Sequence, residues 1–235
     1  MVTVGFDTAT ADTAVAAVRD GETLYERQVG LSEKGGPQHT TALVAEVEQA
    51  AEAAGGWAEV RRIAVGIGPG SFTGLRVGIA TAKALGLSRG LPLRGVGTLD
   101  ALARGLGEAA GERERLAVLD ARRGEVAAAL YSTAGELLQK PLLSSPEQLA
   151  QRISREGKPL LCGGSGAVRF REQLTSRAVE IPDDADPVHR VAARHICALA
   201  AAMPDEDESG PVSPIYLRPP DAQRWRERDS VQAAE

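Results

Sequence analysis

Cysteine is almost missing from this chain. Cys162 and Cys197 are the two it has, far apart in sequence and each in an apolar setting, which excludes a disulfide framework and fits a reducing compartment. Both read as packing residues. Histidine is hardly commoner: His39 stands alone at a helix start, where a capping or surface role is the ordinary one, and His189 and His195 are spaced so that a helix would carry them on different faces. No pair with metal-ligand spacing results. No apolar run approaches membrane-spanning length, and Val2 to Phe6 open the chain without a basic leader. A cytoplasmic protein without membrane contact is expected. Positive charge is also short, with 27 Lys and Arg against 32 Asp and Glu and a formal net charge of −5. The signs are intermixed, which argues against a nucleic-acid surface carried by this chain alone, because phosphates are neutralised by concentrated Lys and Arg.

Two catalytic loops are missing as well. The run Gly66-Ile67-Gly68-Pro69-Gly70-Ser71-Phe72-Thr73-Gly74-Leu75-Arg76-Val77-Gly78 lacks the Gly-Lys-Ser/Thr of a Walker loop. Pro69 and Thr73, not glycines, flank Ser71 at the positions a nucleophile elbow requires. The cysteines have no basic neighbour in sequence, and no Ser-His-Asp set assembles. What the run does encode is a strand over Ile63–Gly66, a stiff turn and a helix from Leu75 to Leu87. Gly68 and Gly70 supply positive φ or close backbone approach, Pro69 fixes the bend, and Ser71 or Thr73 caps the helix. Such a helix end suits a phosphate, a partner's carboxylate, or nothing beyond the turn itself; all three stay open. The helix is apolar nearly all round. Leu75, Ile79, Ala82 and Leu85 line one side and Val77, Ala80, Ala84 and Leu87 the other, with Arg76 and Lys83 on a narrow polar stripe. One side can cover its own sheet, so the other calls for a second helix or a partner.

In chain order, strands over 2–7, 13–19 and 22–29 lead to a helix over 38–54 whose inner stripe is Leu43, Val47, Ala50, Ala51 and Ala54. After the glycine-rich turn and its helix come a strand at 93–96 and a helix at 98–106, and Gly105 to Gly111 reads as a boundary. The second part begins in the same way, with strands at 115–120, 125–132 and 136–141, a helix at 146–153, a strand at 159–162, the Gly163–Gly166 turn, and a last helix over 187–202. This is an α/β chain with a duplicated β-β-β-α-β-α order: an N-terminal half at 1–108, a smaller C-terminal half at 109–218, and a tail at 219–235 expected to be disordered. Such a duplication is the arrangement of the actin-like, ribonuclease-H-like ATPases. In them one hairpin turn per half faces nucleotide phosphates, and here these would be Asp7 to Asp12 and Asp120 to Glu125.

With this topology, four stretches resemble the bacterial TsaB (YeaZ) family: Gly5 to Thr10, Gly68 to Arg76, Leu119 to Val126, and Pro214-Ile215-Tyr216-Leu217-Arg218. The resemblance covers nearly the whole chain and implies a part in making N6-threonylcarbamoyladenosine beside the anticodon of tRNAs reading ANN codons. It implies a non-catalytic subunit that pairs with the transferase TsaD, works with the ATPase TsaE, forms a homodimer when alone, and meets tRNA only through the complex. The pairing surface it implies is the first two helices, which here places Leu43, Val47, Ala50, Val77, Ala80, Lys83, Ala84 and Leu87 at the interface. Turns that would touch phosphate or partner are carried by Asp7, Thr8, Gly68, Gly70, Ser71, Thr73, Arg76 and Asp120. No metal or tightly bound cofactor is expected, and ATP at the interface of the complex is left open. TsaD-like relatives place two histidines four apart on the first helix, whereas here His39 is followed by Leu43, which weakens a metallopeptidase reading. The remaining alternative is an ATP-dependent enzyme using Asp7 and Asp120, with Gly163 to Gly166 near the adenosine.

Overall fold

A computed structural model describes residues 1–33, 35–156, 158–204 and 212–218. Strands β1 (Val2–Asp7), β2 (Thr13–Arg19) and β3 (Glu22–Val29) form a meander, followed by α1 (His39–Ala53), β4 (Val60–Gly66), α2 (Phe72–Arg89), β5 (Leu93–Val96) and α3 (Thr98–Ala110). The series recurs as β6 (Glu114–Asp120), β7 (Val126–Tyr131), β8 (Leu137–Ser144), α4 (Pro146–Glu156) and β9 (Leu160–Gly163). It closes with the short helices α5 (Ser165–Arg169) and α6 (Arg171–Leu174), then β10 (Val179–Glu180), a 3-10 turn at Pro187–His189, and α7 (Ala193–Ala201). The first sheet runs β3-β2-β1-β4-β5 and the second β8-β7-β6-β9-β10, the same order twice. In each, the first strand pairs antiparallel with its successor and parallel with the fourth: Val4 lies opposite Ala17 and Ile63, and Leu116 opposite Leu130 and Cys162. This is the duplicated actin-like α/β fold that the element order implied.

Every residue of β1 is buried, because the strand is covered on both faces. Val2, Val4 and Phe6 join Leu43, Val47, Ala50 and Ile79 beneath α1 and α2. On the opposite face α7 lies so close that a Cβ at Gly5 would sit 2.5 Å from Cys197 Sγ. Cys197 packs there with Ala14, Ala16 and Ala193, and burial pushes both thiols upward, that of Cys162 to about 12. Two buried arginines hold the end of α7 to the first sheet, Arg62 donating to the Ala200 carbonyl at 2.6 Å and Arg94 to that of Pro204 at 3.2 Å. Carbonyls at and just past a helix C-terminus have spare acceptor capacity that guanidiniums can use; that of Ala200 also accepts from the Met203 amide at 3.3 Å. Between the sheets, α3 and α7 share one core, in which Leu99, Leu102, Leu106 and Ile196 meet Ala64 and Val96 of the first sheet and Leu119, Ala127 and Leu161 of the second.

Two expectations change, and a third is not reached. Gly105 and Gly107 do not end α3, which continues to Ala110 and is capped by Gly111. Its glycines make room for neighbours: a Cβ at Gly107 would lie 2.4 Å from the Arg115 guanidinium, and one at Gly105 would lie 3.2 Å from His195. The proposed division at residue 108 therefore falls inside a helix, and α7 crosses back to the first sheet. The last helix is a 3-10 turn, capped by Asp186 accepting from the Val188 amide at 3.0 Å, followed by a separate helix from Ala193. The tail at 219–235 lies outside the described residues.

Candidate functional site

Glycine recurs at every fourth position through the glycine-rich run, at Gly66, Gly70, Gly74 and Gly78. Each lacks a side chain where the Asp7-Thr8-Ala9 turn passes. A Cβ would stand 1.7 Å from Asp7 Oδ2 at Gly66, 2.3 Å from the Ala9 oxygen at Gly70, 1.9 Å from the Thr8 oxygen at Gly74 and 2.4 Å from Thr8 Oγ1 at Gly78. The turn is seated by hydrogen bonds along the same line. Ser71 N–H donates to the Ala9 carbonyl at 2.7 Å, and Thr8 Oγ1 donates to the Gly74 carbonyl at 2.7 Å. Thr98 Oγ1 donates to Asp7 Oδ2 and the Ala9 amide to Asp7 Oδ1, both at 2.8 Å. Thr98 also accepts from the Gly68 amide at 3.1 Å, beside the cis Gly68–Pro69 bond and the positive φ of Gly68. Burial raises the Asp7 carboxyl above the usual carboxylate range, opposed by these donors. Asp7, Thr8 and Gly68 are thus enclosed by their own chain, whereas Gly70, Ser71, Thr73 and Arg76 are exposed. Ser71 is the cap, accepting from the Gly74 amide at 3.2 Å.

Asp120 is engaged too. Its Oδ2 accepts from Arg169 at 2.7 Å and its Oδ1 from the Arg122 amide at 2.8 Å. The two acids an ATP-dependent enzyme would turn toward phosphates therefore both face donors of this chain. Among the described residues no group of three or more His, Cys, Asp or Glu is arranged to hold a metal. His39 departs from the capping or surface role expected of it. It is buried, shares a 2.8 Å hydrogen bond between Nδ1 and Thr13 Oγ1, and burial lowers its pKa. A depression of about 410 Å³ at the β10 edge, lined by Arg113, Arg171 and Glu180 among others, contains none of the residues singled out from sequence.

The outer face of α2 is different. Leu75, Ile79 and Ala82 are buried beneath it, while Phe72, Arg76, Ala80, Lys83, Ala84 and Leu87 are exposed and Val77 half-buried. Phe72 to Leu87 spans fifteen steps, roughly 22 Å at 1.5 Å per residue. Leu87 is 88% exposed, and Val44 of α1 is 56% exposed. Leu43, Val47 and Ala50 do not belong to this surface: at 1% exposure or less they form the core beneath α1, because the stripe that covers the sheet cannot also face outward. Sequence reasoning missed Val44, one residue out of phase with that stripe, and Phe72, which precedes Arg76 by one turn. It also left unassigned the contact made by Tyr216. The Phe72 and Tyr216 rings lie 5.2 Å apart and the Arg76 guanidinium sits 3.8 Å above Phe72. The Ile215 amide donates to the Ile67 carbonyl at 2.7 Å, which holds the Pro214–Arg218 segment beside the start of α2.

A family model described as TsaD, tRNA N6-adenosine threonylcarbamoyltransferase, matches residues 29–162. The tRNA threonylcarbamoyladenosine biosynthesis protein TsaB of Escherichia coli is 36% identical over 225 residues, covering 92% of this chain and 94% of that protein. An uncharacterized protein of Mycobacterium leprae is also 36% identical, over 229 residues and 94% of this chain, which spans 56% of that protein's length. Among solved structures, an uncharacterized Pseudomonas aeruginosa protein with similarity to peptidase YeaZ superposes with a TM-score of 0.76 at 26% identity. That match covers 92% of this chain and 99% of the other.

Proposed function

The chain belongs to the TsaB (YeaZ) family of tRNA threonylcarbamoyladenosine biosynthesis proteins, and from that premise we propose that it acts as a non-catalytic subunit which docks on the TsaD transferase through α2. The observation that carries this reading is the exposed stripe from Phe72 to Leu87 on a helix whose other side is already buried. Ala80 and Ala84 let a partner helix approach closely, and Leu87 and Val44 offer apolar surface worth about 25 cal/mol per Å² when covered. Arg76 and Lys83 suit acidic residues at the rim of the partner. The same stripe on a second copy gives the homodimer proposed for the isolated chain. Catalysis on this reading belongs to the partner, with a TsaE-like ATPase joining the assembly and ATP handled at its interface. In support, the Asp7 turn packs into the space left by the chain's own glycines, and Asp120 is engaged by Arg169.

Light scattering after size exclusion tests the reading, with the pure chain run alone and mixed with the transferase of the same organism. A homodimer that gives way to a one-to-one heterodimer is the expected result. Ala80→Glu and Ala84→Glu place an uncompensated carboxylate in an apolar contact, at a cost of several kcal/mol, and each should weaken both pairings about 100-fold while leaving the fold intact. Pairing that survives both changes moves the interface elsewhere. Hydrolysis of ATP by the pure chain, lost in Asp7→Ala, would restore the enzymatic alternative.

A further inference from the structure

The β6–β7 hairpin breaks a local rule. At its tip Arg122 and Arg123 both take left-handed backbone, φ +63° and +57°, followed by Gly124 at +77°. Asn-Gly or Asp-Gly is the pair that adopts such a tip without strain, so two arginines there point to a use for their side chains. The tip is held from several sides. Asp120 accepts the Arg122 amide and the Arg169 guanidinium, Ser165 Oγ accepts the Asp120 amide at 3.1 Å, and Ala121 and Glu125 close the turn through backbone bonds of 3.0 and 3.1 Å. Arg218 pairs with Glu125. Arg169 and, at 4.0 Å, Arg122 face Asp120 while Arg218 faces Glu125, so three guanidiniums meet two carboxylates and Arg123 adds a fourth cation to the tip of a chain whose net charge is −5. Arg122 and Arg123 are exposed, and the Arg122 side chain is 74% so.

The position of the tip matters as much as its charge. Tyr216 stacks on Phe72 at the end of the α2 stripe, and two residues later Arg218 binds Glu125 of the hairpin. The basic tip therefore borders the proposed docking face without being part of it. We propose that this tip is a contact for RNA phosphates, in which Arg122 and Arg123 grip the backbone of the tRNA held by the assembled complex. The forked guanidinium matches a phosphate in two-pronged fashion, and a contact to the backbone needs no base-specific groups. Two such contacts are too few to hold RNA without the partner, in keeping with the acidic balance of the whole chain. The inference rests on the proposed role in tRNA modification.

The test is tRNA binding by the heterodimer with the transferase, followed by fluorescence anisotropy over a series of salt concentrations. Arg122→Gly with Arg123→Gly removes both cations and relieves the left-handed strain. This variant should melt no lower than the wild type and still pair with the transferase. It should bind tRNA about tenfold more weakly, with a slope of log affinity against log salt shallower by about one to two. Unchanged affinity and slope in a variant that pairs normally overturns the phosphate contact and leaves the docking role standing. Lost pairing shows that the tip engages an acidic surface of the partner, which also overturns it. A wild-type chain that never pairs refutes the docking role itself, and a paired wild type that ignores tRNA refutes the RNA contact alone.

Discussion

His195 shows how one residue's surroundings set a pH response. It is buried against Gly105 of α3, with Nε2 3.7 Å from Glu108 Oε1 and Arg194 and Arg104 nearby. Burial is the largest influence, and the two arginines outweigh Glu108 and Glu26, so its pKa falls from 6.5 to about 4. A depressed value in the folded state means that the unfolded chain binds the proton more readily. The stability this group contributes is complete above pH 6.5 and is lost as the pH falls toward 4. Thermal melts across that window should show the decline, and His195→Gln should flatten it. The sequence shows an isolated histidine on a helical stretch, but nothing in it reveals that a glycine 90 positions earlier opens the space for the ring. The same limit applies to the glycine-rich run. Its spacing of four is visible in the letters; the turn it receives lies some sixty residues away.

At the scale of elements, periodicity served well where one face of a helix meets one sheet. The inner stripe of α1 and the two-sided character of α2 were both legible, because burial follows the 3.6-residue repeat. Periodicity already put Leu43, Val47 and Ala50 on the inner stripe of α1, whereas the resemblance to the family assigned them to the interface; they are core. The two roles separate experimentally. Leu43→Ala should cost about 2–5 kcal/mol of stability and leave pairing with the transferase unchanged, whereas Leu87→Ser should leave the melting temperature nearly unchanged and weaken pairing. Denaturant melts and the heterodimer dissociation constant read the two outcomes. Equal effects of both changes on pairing would contradict the assignment. Gly105 to Gly111 misled because glycine usually breaks a helix; here it gives Arg115 and His195 their places.

At the scale of the molecule, the duplicated order was readable from strand and helix signals, but the sharing of one core was not. Leu99, Leu102 and Leu106 of α3 and Ile196 of α7 touch both sheets, and Arg194 of α7 ties Glu26 to Glu108 at 2.8 and 2.9 Å. Neither sheet can lose its partner without exposing that core. Calorimetry should therefore record a single unfolding transition with equal calorimetric and van't Hoff enthalpies, and two resolved transitions would show that the halves are independent. The glycine ladder has a kinetic side. Thr8 and Gly74 are 66 residues apart, and the expectation is that the Asp7 turn seats late, once β1, β4 and α2 are in place. Contacts that form after the folding barrier govern how fast the native state is lost, not how fast it is reached. A side chain added at Gly74 should consequently shorten the lifetime of the folded protein while its refolding rate stays nearly that of the wild type.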